Sequence, residues 1–425
     1  MPLTTLVKKK SVVKSPLPEG FKVGGVRSGL SSTRGKKDLA LFISEVPANA
    51  AGMFTKSITK AAPVEVDIER MSGAKTAGRF SAVIANSGCA NACTGEKGKA
   101  DALAMCSETE KEFGLAEGSV LCASTGVIGK YLKMNAFRSG LKKLKKAVGS
   151  GPENEKSAVS AIMTTDTSIK TCSKKIKTAK GCVNIWGCVK GAGMIHPDMQ
   201  GPAAAKRYSR LHATMLSFIL TDALIDNKTL QGMLENAADR SFHCVSVDGD
   251  TSTNDTVIIM ANGKSGAGKL SGADLKKFAK ALEELALDLS KQLAKDGEGA
   301  TKLVEIEVRN ARTKSCAKTI ASAVATSPLF KTAVFGADAN WGRVVAAAGR
   351  AGVDFDPKKV DIYMGGLLTS RNGMAVKFSE SRAKKALLKK DIKVVVDLKA
   401  GKEKAKYYTC DFSYDYIKIN GDYRS

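Results

Sequence analysis

The chain has 425 residues, 43% of them hydrophobic, enough to bury a sizeable core in two or three domain-sized units and too apolar for a disordered protein. Its 67 Lys and Arg against 42 Asp and Glu give a net charge of +25, which suits nucleic acid, an anionic surface or small carboxylate substrates. Nucleic acid is set aside, because basic runs such as Lys142, Lys143, Lys145 and Lys146 sit on a helix-like face with few aromatics between them.

The stretch from Met1 to Pro18 is Lys-rich but lacks Arg and any long apolar run, a poor fit to a secretory signal. No run reaches the length needed to span a bilayer, and the expectation is a cytoplasmic protein with the mitochondrial or plastid matrix as the alternative. Phe80 to Asn86 reads as a buried strand broken by Ser87-Gly88, followed by a helix from about Ala100 to Phe113. The pattern recurs: Ser119 to Ala123 is strand-like, Ser124-Thr125-Gly126 turns, and Met134 to Val148 is helix-prone. Gly-rich turns of this kind present backbone N–H groups.

Ten cysteines form no CxxC pair, and His196, His212 and His243 are the only histidines, so neither a zinc site nor a disulfide framework is expected. Cys122 and Cys244 read as small buried hydrophobes. Gly263 to Lys269 nearly matches a phosphate-binding loop, but Leu270 stands where Ser or Thr would hold Mg²⁺, and a flexible turn is the better reading. From Asp274 to Lys295, Leu275, Phe278, Leu282, Leu285, Leu289 and Leu293 recur at spacings of three and four, an amphipathic helix. Asp296-Gly297 ends it, delivering Glu298 to a loop before a half-buried strand at Leu303 to Val308. Val394 to Val396 and Phe412 to Ile419 also read as strands. Helices and strands mix without strict alternation, which predicts an α+β layered fold.

Lys190-Gly191-Ala192-Gly193-Met194-Ile195-His196-Pro197-Asp198-Met199, with the later Ala213-Thr214-Met215-Leu216, resembles the stretch of the glutamate N-acetyltransferase (ornithine acetyltransferase, ArgJ-type) family in which the bond before a Thr cleaves itself. Other segments match in order: Asn86-Ser87-Gly88, Ser124-Thr125-Gly126, Met163-Thr164-Thr165-Asp166-Thr167, Asp248 to Asp255, Gly297-Glu298-Gly299, Asn340-Trp341-Gly342-Arg343 and Asn420 to Ser425. Alone, Thr214 would read as a β-branched residue opening a buried strand.

The resemblance implies a layered α/β/β/α-type sandwich and two chains, 1–213 carrying the oxyanion-hole and substrate-binding loops and 214–425 beginning at the nucleophile. Cleavage between Ala213 and Thr214 would free the Thr214 α-amine, a base with a pKa of about 8 beside its own hydroxyl. Thr125 and Gly126 match the family's oxyanion-hole positions, where each donor to a tetrahedral oxygen contributes about 3 kcal/mol. Thr164, Lys190, Thr214, Glu298, Asn420 and Ser425 match its substrate-binding positions. Lys190 suits a carboxylate, whereas Glu298 suits either the charged amine of ornithine or the Thr214 amine.

The activity implied is acetyl transfer from N2-acetylornithine to glutamate in arginine biosynthesis, with acetyl-CoA as an additional donor in some members. The cleaved chains would form an α2β2 assembly. No metal, nucleotide, nucleic acid or membrane is implied.

The sequence departs from the family at Gln200 to His212, thirteen residues inserted just before Ala213, and Asp198 replaces the usual Asn or Ser. Self-cleavage needs a strained bond held against the oxyanion donors. The insertion therefore keeps open a silent, uncleaved binding protein. A separate alternative among enzymes is an aminopeptidase of the related self-processing fold, told apart by peptide hydrolysis without acetyl transfer to glutamate.

Overall fold

The computed structural model describes residues 17–73, 76–204 and 215–422. Two sheets organise them. The first contains β1 (Phe21–Val26), β2 (Leu39–Thr55), β3 (Arg79–Cys89), β4 (Val120–Val127), β5 (Lys170–Thr178), β6 (Gly181–Lys190), β7 (Met199–Gln200), β8 (Leu216–Thr221) and β9 (Thr256–Ala261). Its order is β4-β3-β2-β9-β8-β6-β5, with β1 and β7 paired to β2. The second contains β10 (Leu303–Ala311), β11 (Asp361–Met364), β12 (Leu367–Arg371), β13 (Met374–Ala375), β14 (Asp391–Asp397) and β15 (Glu403–Cys410), in the order β13-β12-β11-β14-β10-β15. The helices are α1 (Ala62–Ser72), α2 (Gly95–Phe113), α3 (Met134–Ala147), α4 (Pro152–Ile162), α5 (Asn227–Arg240), α6 (Gly272–Lys295), α7 (Lys314–Ala325), α8 (Pro328–Phe335), α9 (Trp341–Gly349), α10 (Glu380–Leu387) and α11 (Tyr414–Asp422).

β2 changes partners along its length. Its first half pairs with β1 and β3, its second with β9, and the β3 register slips between Ile43 and Ala48. Pro47 lies in that interval and has no N–H to give the ladder. The central strands are covered on both faces, which is why β9 reads as a continuous apolar run. Val257 and Ile259 pack with Leu282, Leu285 and Leu289 of α6, while Ile258 and Met260 pack with Val159 and Ile162 of α4.

The predicted helix is α6, and of the residues that predicted it Phe278, Leu282, Leu285, Leu289 and Leu293 are buried and Leu275 is half-buried. It packs on β5 and β6 of one sheet and on β15 and β10 of the other, so its C-terminus falls between the two layers. β10 alternates as expected: Val304, Ile306 and Val308 enter the second core, and Glu305 and Glu307 pair with Lys393 and Lys406. The layered α+β architecture therefore matches the expectation. Cys122 and Cys244 are buried, and Gly263 to Gly268 is a turn.

One predicted strand is a helix. Phe412 to Ile419 contains the start of α11, preceded by β15. The alternation of Phe412, Tyr414 and Tyr416 suggests a strand, but Phe412 and Tyr416 stack at helical spacing with ring centroids 4.5 Å apart, and Tyr414 is 85% exposed. Ser413 holds the turn, its hydroxyl accepting the Asp415 amide at 3.2 Å.

Candidate active site

The parallel pair β3 and β4 brings Ser87 opposite Thr125 and Gly88 opposite Gly126. Both pairs lie within their strands instead of forming the predicted break and turn, because the parallel ladder continues through them. Gly126 has φ +132°, and a Cβ there would lie 2.5 Å from the Gly88 carbonyl carbon, so this strand position admits only glycine. Lys190, the last residue of β6, is buried and points its ammonium at this end of β4, 3.2 Å from Thr125 Oγ1 and 2.8 Å from Thr164 Oγ1. Thr164 follows α4. It is held from its backbone side by Lys36, whose Nζ donates to the Thr164 carbonyl at 3.0 Å.

Beneath Lys190 lies an ion network. The Asp166 side chain is fully buried and accepts from Lys170 Nζ at 2.7 Å, Gly191 N at 2.6 Å and Thr164 N at 2.8 Å, with Lys190 Nζ 3.8 Å away. Lys170 also pairs with Asp296, which accepts the Thr167 amide at 3.1 Å and the Thr167 hydroxyl. Burial works against ionisation of Asp166, but the Lys190 and Lys170 charges outweigh it and hold its carboxyl below the usual range. Burial lowers the Lys190 ammonium from its ordinary value, with Asp166 opposing the shift.

α6 ends at Lys295, and the loop after it carries Glu298, which is buried with 6% of its surface exposed. Its amide donates to the Ala192 carbonyl at 2.9 Å, and its Oε2 accepts from Asn420 Nδ2 of α11 at 2.9 Å. A Cβ on Gly193 would fall 2.3 Å from Glu298 Oε2, so the glycine makes room for the carboxylate. Asp248 fixes the same loop, accepting the Met194 amide at 2.5 Å and the Ile195 amide at 2.9 Å while Met194 has φ +55°. Burial pushes the Asp248 carboxyl up to about 6.

Thr125, Gly126, Thr164, Lys190, Glu298 and Asn420, from five separate stretches of sequence, thus line one cavity of about 70 Å³. Ala213, Thr214 and Ser425 lie outside the described residues. Met215, the residue after Thr214, is described: its amide donates to Asp255 Oδ1, its carbonyl accepts from Thr256 N at 2.9 Å, and Leu216 next to it registers with Lys190 across β6 and β8. Reasoning from the sequence named no role for Asp166, Asp248, Asp255, Lys36, Lys170 or Asp296. Asp166, Asp248 and Asp255 do fall in segments it singled out, and an acid set among Gly, Thr and Ser is the signal that was there to find.

Fold and cavity together define a layered α+β protein whose buried polar site offers fixed hydroxyl and backbone donors, a buried lysine and a buried carboxylate. The ArgJ family model matches residues 22–425, and the chain belongs to this family. It is 45% identical over 418 residues to the arginine biosynthesis bifunctional protein ArgJ of Caldanaerobacter subterraneus subsp. tengcongensis, covering 97% of this chain and 98% of that one. Among solved structures, the arginine biosynthesis bifunctional protein ArgJ of Bacillus halodurans is 43% identical and covers 49% of this chain and 100% of its own, with a TM-score of 0.48. Ornithine acetyltransferase of Mycobacterium tuberculosis, solved with ornithine, is 34% identical and covers 43% and 94%, with a TM-score of 0.39.

Proposed function

We propose that this chain is an arginine-biosynthesis acyltransferase that cleaves itself between Ala213 and Thr214 and then carries acetyl from N2-acetylornithine to glutamate on the Thr214 hydroxyl. The observation that carries the reading is the convergence of Thr125, Gly126, Thr164, Lys190, Glu298 and Asn420 on one cavity, beside the strand that starts just after Thr214. Thr125 and the Gly126 backbone form the oxyanion site, and Lys190 takes the substrate carboxylate. Glu298, steadied by Asn420, takes the amine that distinguishes ornithine from glutamate.

The free Thr214 amine is the base in both half-reactions: the hydroxyl attacks the acetyl carbonyl, ornithine leaves, and glutamate reverses the step. No metal or nucleotide takes part, and acetyl-CoA is a second acetyl donor. Residues 1–213 and 214–425 stay together as an α2β2 assembly, with Ser425 closing the site.

Intact mass and N-terminal sequencing of the purified protein, beside Thr214→Ala, test the reading. Two fragments, the second starting at Thr214, and an intact variant are expected. A single wild-type chain would mean that the Gln200 to His212 insertion blocks processing and that the protein is a silent binding member of its family.

A further inference from the structure

Of the described residues that line the substrate cavity, only Ile128 and Met194 present apolar side chains; the others bring hydroxyls, an amide, glycine backbone and the charges of Lys190 and Glu298. The same two side chains bound a second cavity of about 280 Å³, lined otherwise by Thr59, Cys93, Asp250, Thr251 and Thr253. Ile128 and Met194 are therefore a partition with open space on either side. Their backbones are fixed. Ile128 follows β4 two residues after Gly126, and the residues flanking it are tied to the segment after β3: the Val127 carbonyl accepts the Ala90 amide and the Gly129 amide donates to the Ala92 carbonyl, both at 3.0 Å. The Ile128 side chain leans on the apolar cluster that holds Phe54, Val64 and Ile68. Met194 sits on the loop whose Met194 and Ile195 amides Asp248 accepts. The partition thus stands where the fold puts it.

We infer that Ile128 and Met194 receive the methyl of the acyl group and set the length of the acyl chain that the enzyme transfers. The inference rests on the acetyl-transfer reading given above. An acetyl group has a polar carbonyl and an apolar methyl. With the carbonyl oxygen at Thr125 and Gly126, and the charged ends of the amino acid at Lys190 and Glu298, the methyl has apolar side chains to meet only at Ile128 and Met194. A propionyl group pushes one further carbon into that partition, and one methylene in an apolar pocket discriminates by about 10–200-fold. What stops the longer chain is the bulk of two side chains alone, because a cavity and not packed protein lies behind them. Trimming either one admits the extra carbons without moving the backbone, which a wall backed by close-packed core would not allow.

The test gives the purified protein equal amounts of N2-acetyl-, N2-propionyl- and N2-butyrylornithine with glutamate and measures the three acylglutamates by mass spectrometry, for wild type, Ile128→Val, Ile128→Ala and Met194→Ala. Competition in one mixture reports ratios of kcat/KM, so protein lost to misfolding cancels. Wild type is expected to favour acetyl over propionyl by about 10-fold or more, Ile128→Val to narrow that preference by about threefold and each alanine variant by about 10-fold. N2-acetyllysine is the control, since it lengthens the amino acid by one methylene and leaves the acyl group alone. Its rate relative to N2-acetylornithine should stay within about twofold of the wild-type ratio in every variant. Three results overturn the inference: a wild type that transfers propionyl as readily as acetyl, a preference that no variant changes, or variants that relax toward N2-acetyllysine instead. If wild type transfers no acyl group, the activity reading fails and calorimetric titration with the three acylornithines decides the partition. Affinity that falls from acetyl to butyryl in wild type and levels in the alanine variants supports it, and equal wild-type affinities overturn it.

Discussion

Replacing Asp166 by asparagine tests the ion network that positions Lys190. The carboxylate is buried with Lys170 and Lys190 as counter-charges and accepts two backbone amides. Asparagine nearly preserves the volume but strands Lys190 among hydroxyls, and removing one partner of a buried pair costs about 3–5 kcal/mol. With an unfolding entropy of about 2.1 cal/mol/K per residue, 425 residues unfolding together give about 0.9 kcal/mol/K, so the melting temperature should fall by about 3–6 °C. Differential scanning calorimetry measures it.

The double change Asp166→Asn with Lys190→Met removes both charges and should recover at least about 1 kcal/mol relative to the sum of the single changes. The pH dependence has a definite sign. The folded Asp166 carboxyl is depressed, so its contribution is present above the unfolded value of about 3.9 and is lost as pH falls further. The acid limb of the stability curve should be shallower in the variant. A drop under about 1 °C together with strict additivity would refute the idea that this network organises the site.

Gly126→Ala forces a side chain against Gly88 at positive φ and displaces the backbone donor proposed for the oxyanion, so acetyl transfer in steady-state assays should fall by about 100-fold or more. Asp248 behaves oppositely to Asp166. Its folded carboxyl is raised to about 6, so it contributes stability below the unfolded value of about 4 and loses it as pH rises through 6, by up to about 3 kcal/mol. Urea unfolding at several pH values should show that decline in wild type and a weaker one in Asp248→Asn. Deleting Gln200 to His212 joins Met199 to Ala213, and the shortened chain should still cleave before Thr214 by mass spectrometry; loss of cleavage would make the insertion part of the working site.

Much of this protein was legible in its residues because the signals are local. The three-and-four spacing of Leu282, Leu285 and Leu289 reports the buried face of α6, and the alternation of Val304, Ile306 and Val308 reports the inner face of β10. The motifs around Thr125, Lys190, Glu298 and Asn420 identified side chains that do meet in one cavity. The strand predicted at Phe412 to Ile419 failed because alternation over a few aromatics does not exclude a helix, here α11, whose Tyr416 stacks on Phe412 just before its start.

Tertiary structure alone decided the rest. Asp166 and Asp296 lie 130 residues apart and meet on Lys170; Asp255 reaches back 40 positions to the Met215 amide; Gly126 is needed because Gly88 lies against it in another strand. Burial and pairing of charges depend on which distant segments the fold packs together. A sequence displays the carboxylates, but only long-range packing sets which cations they pair with and which backbone amides they accept.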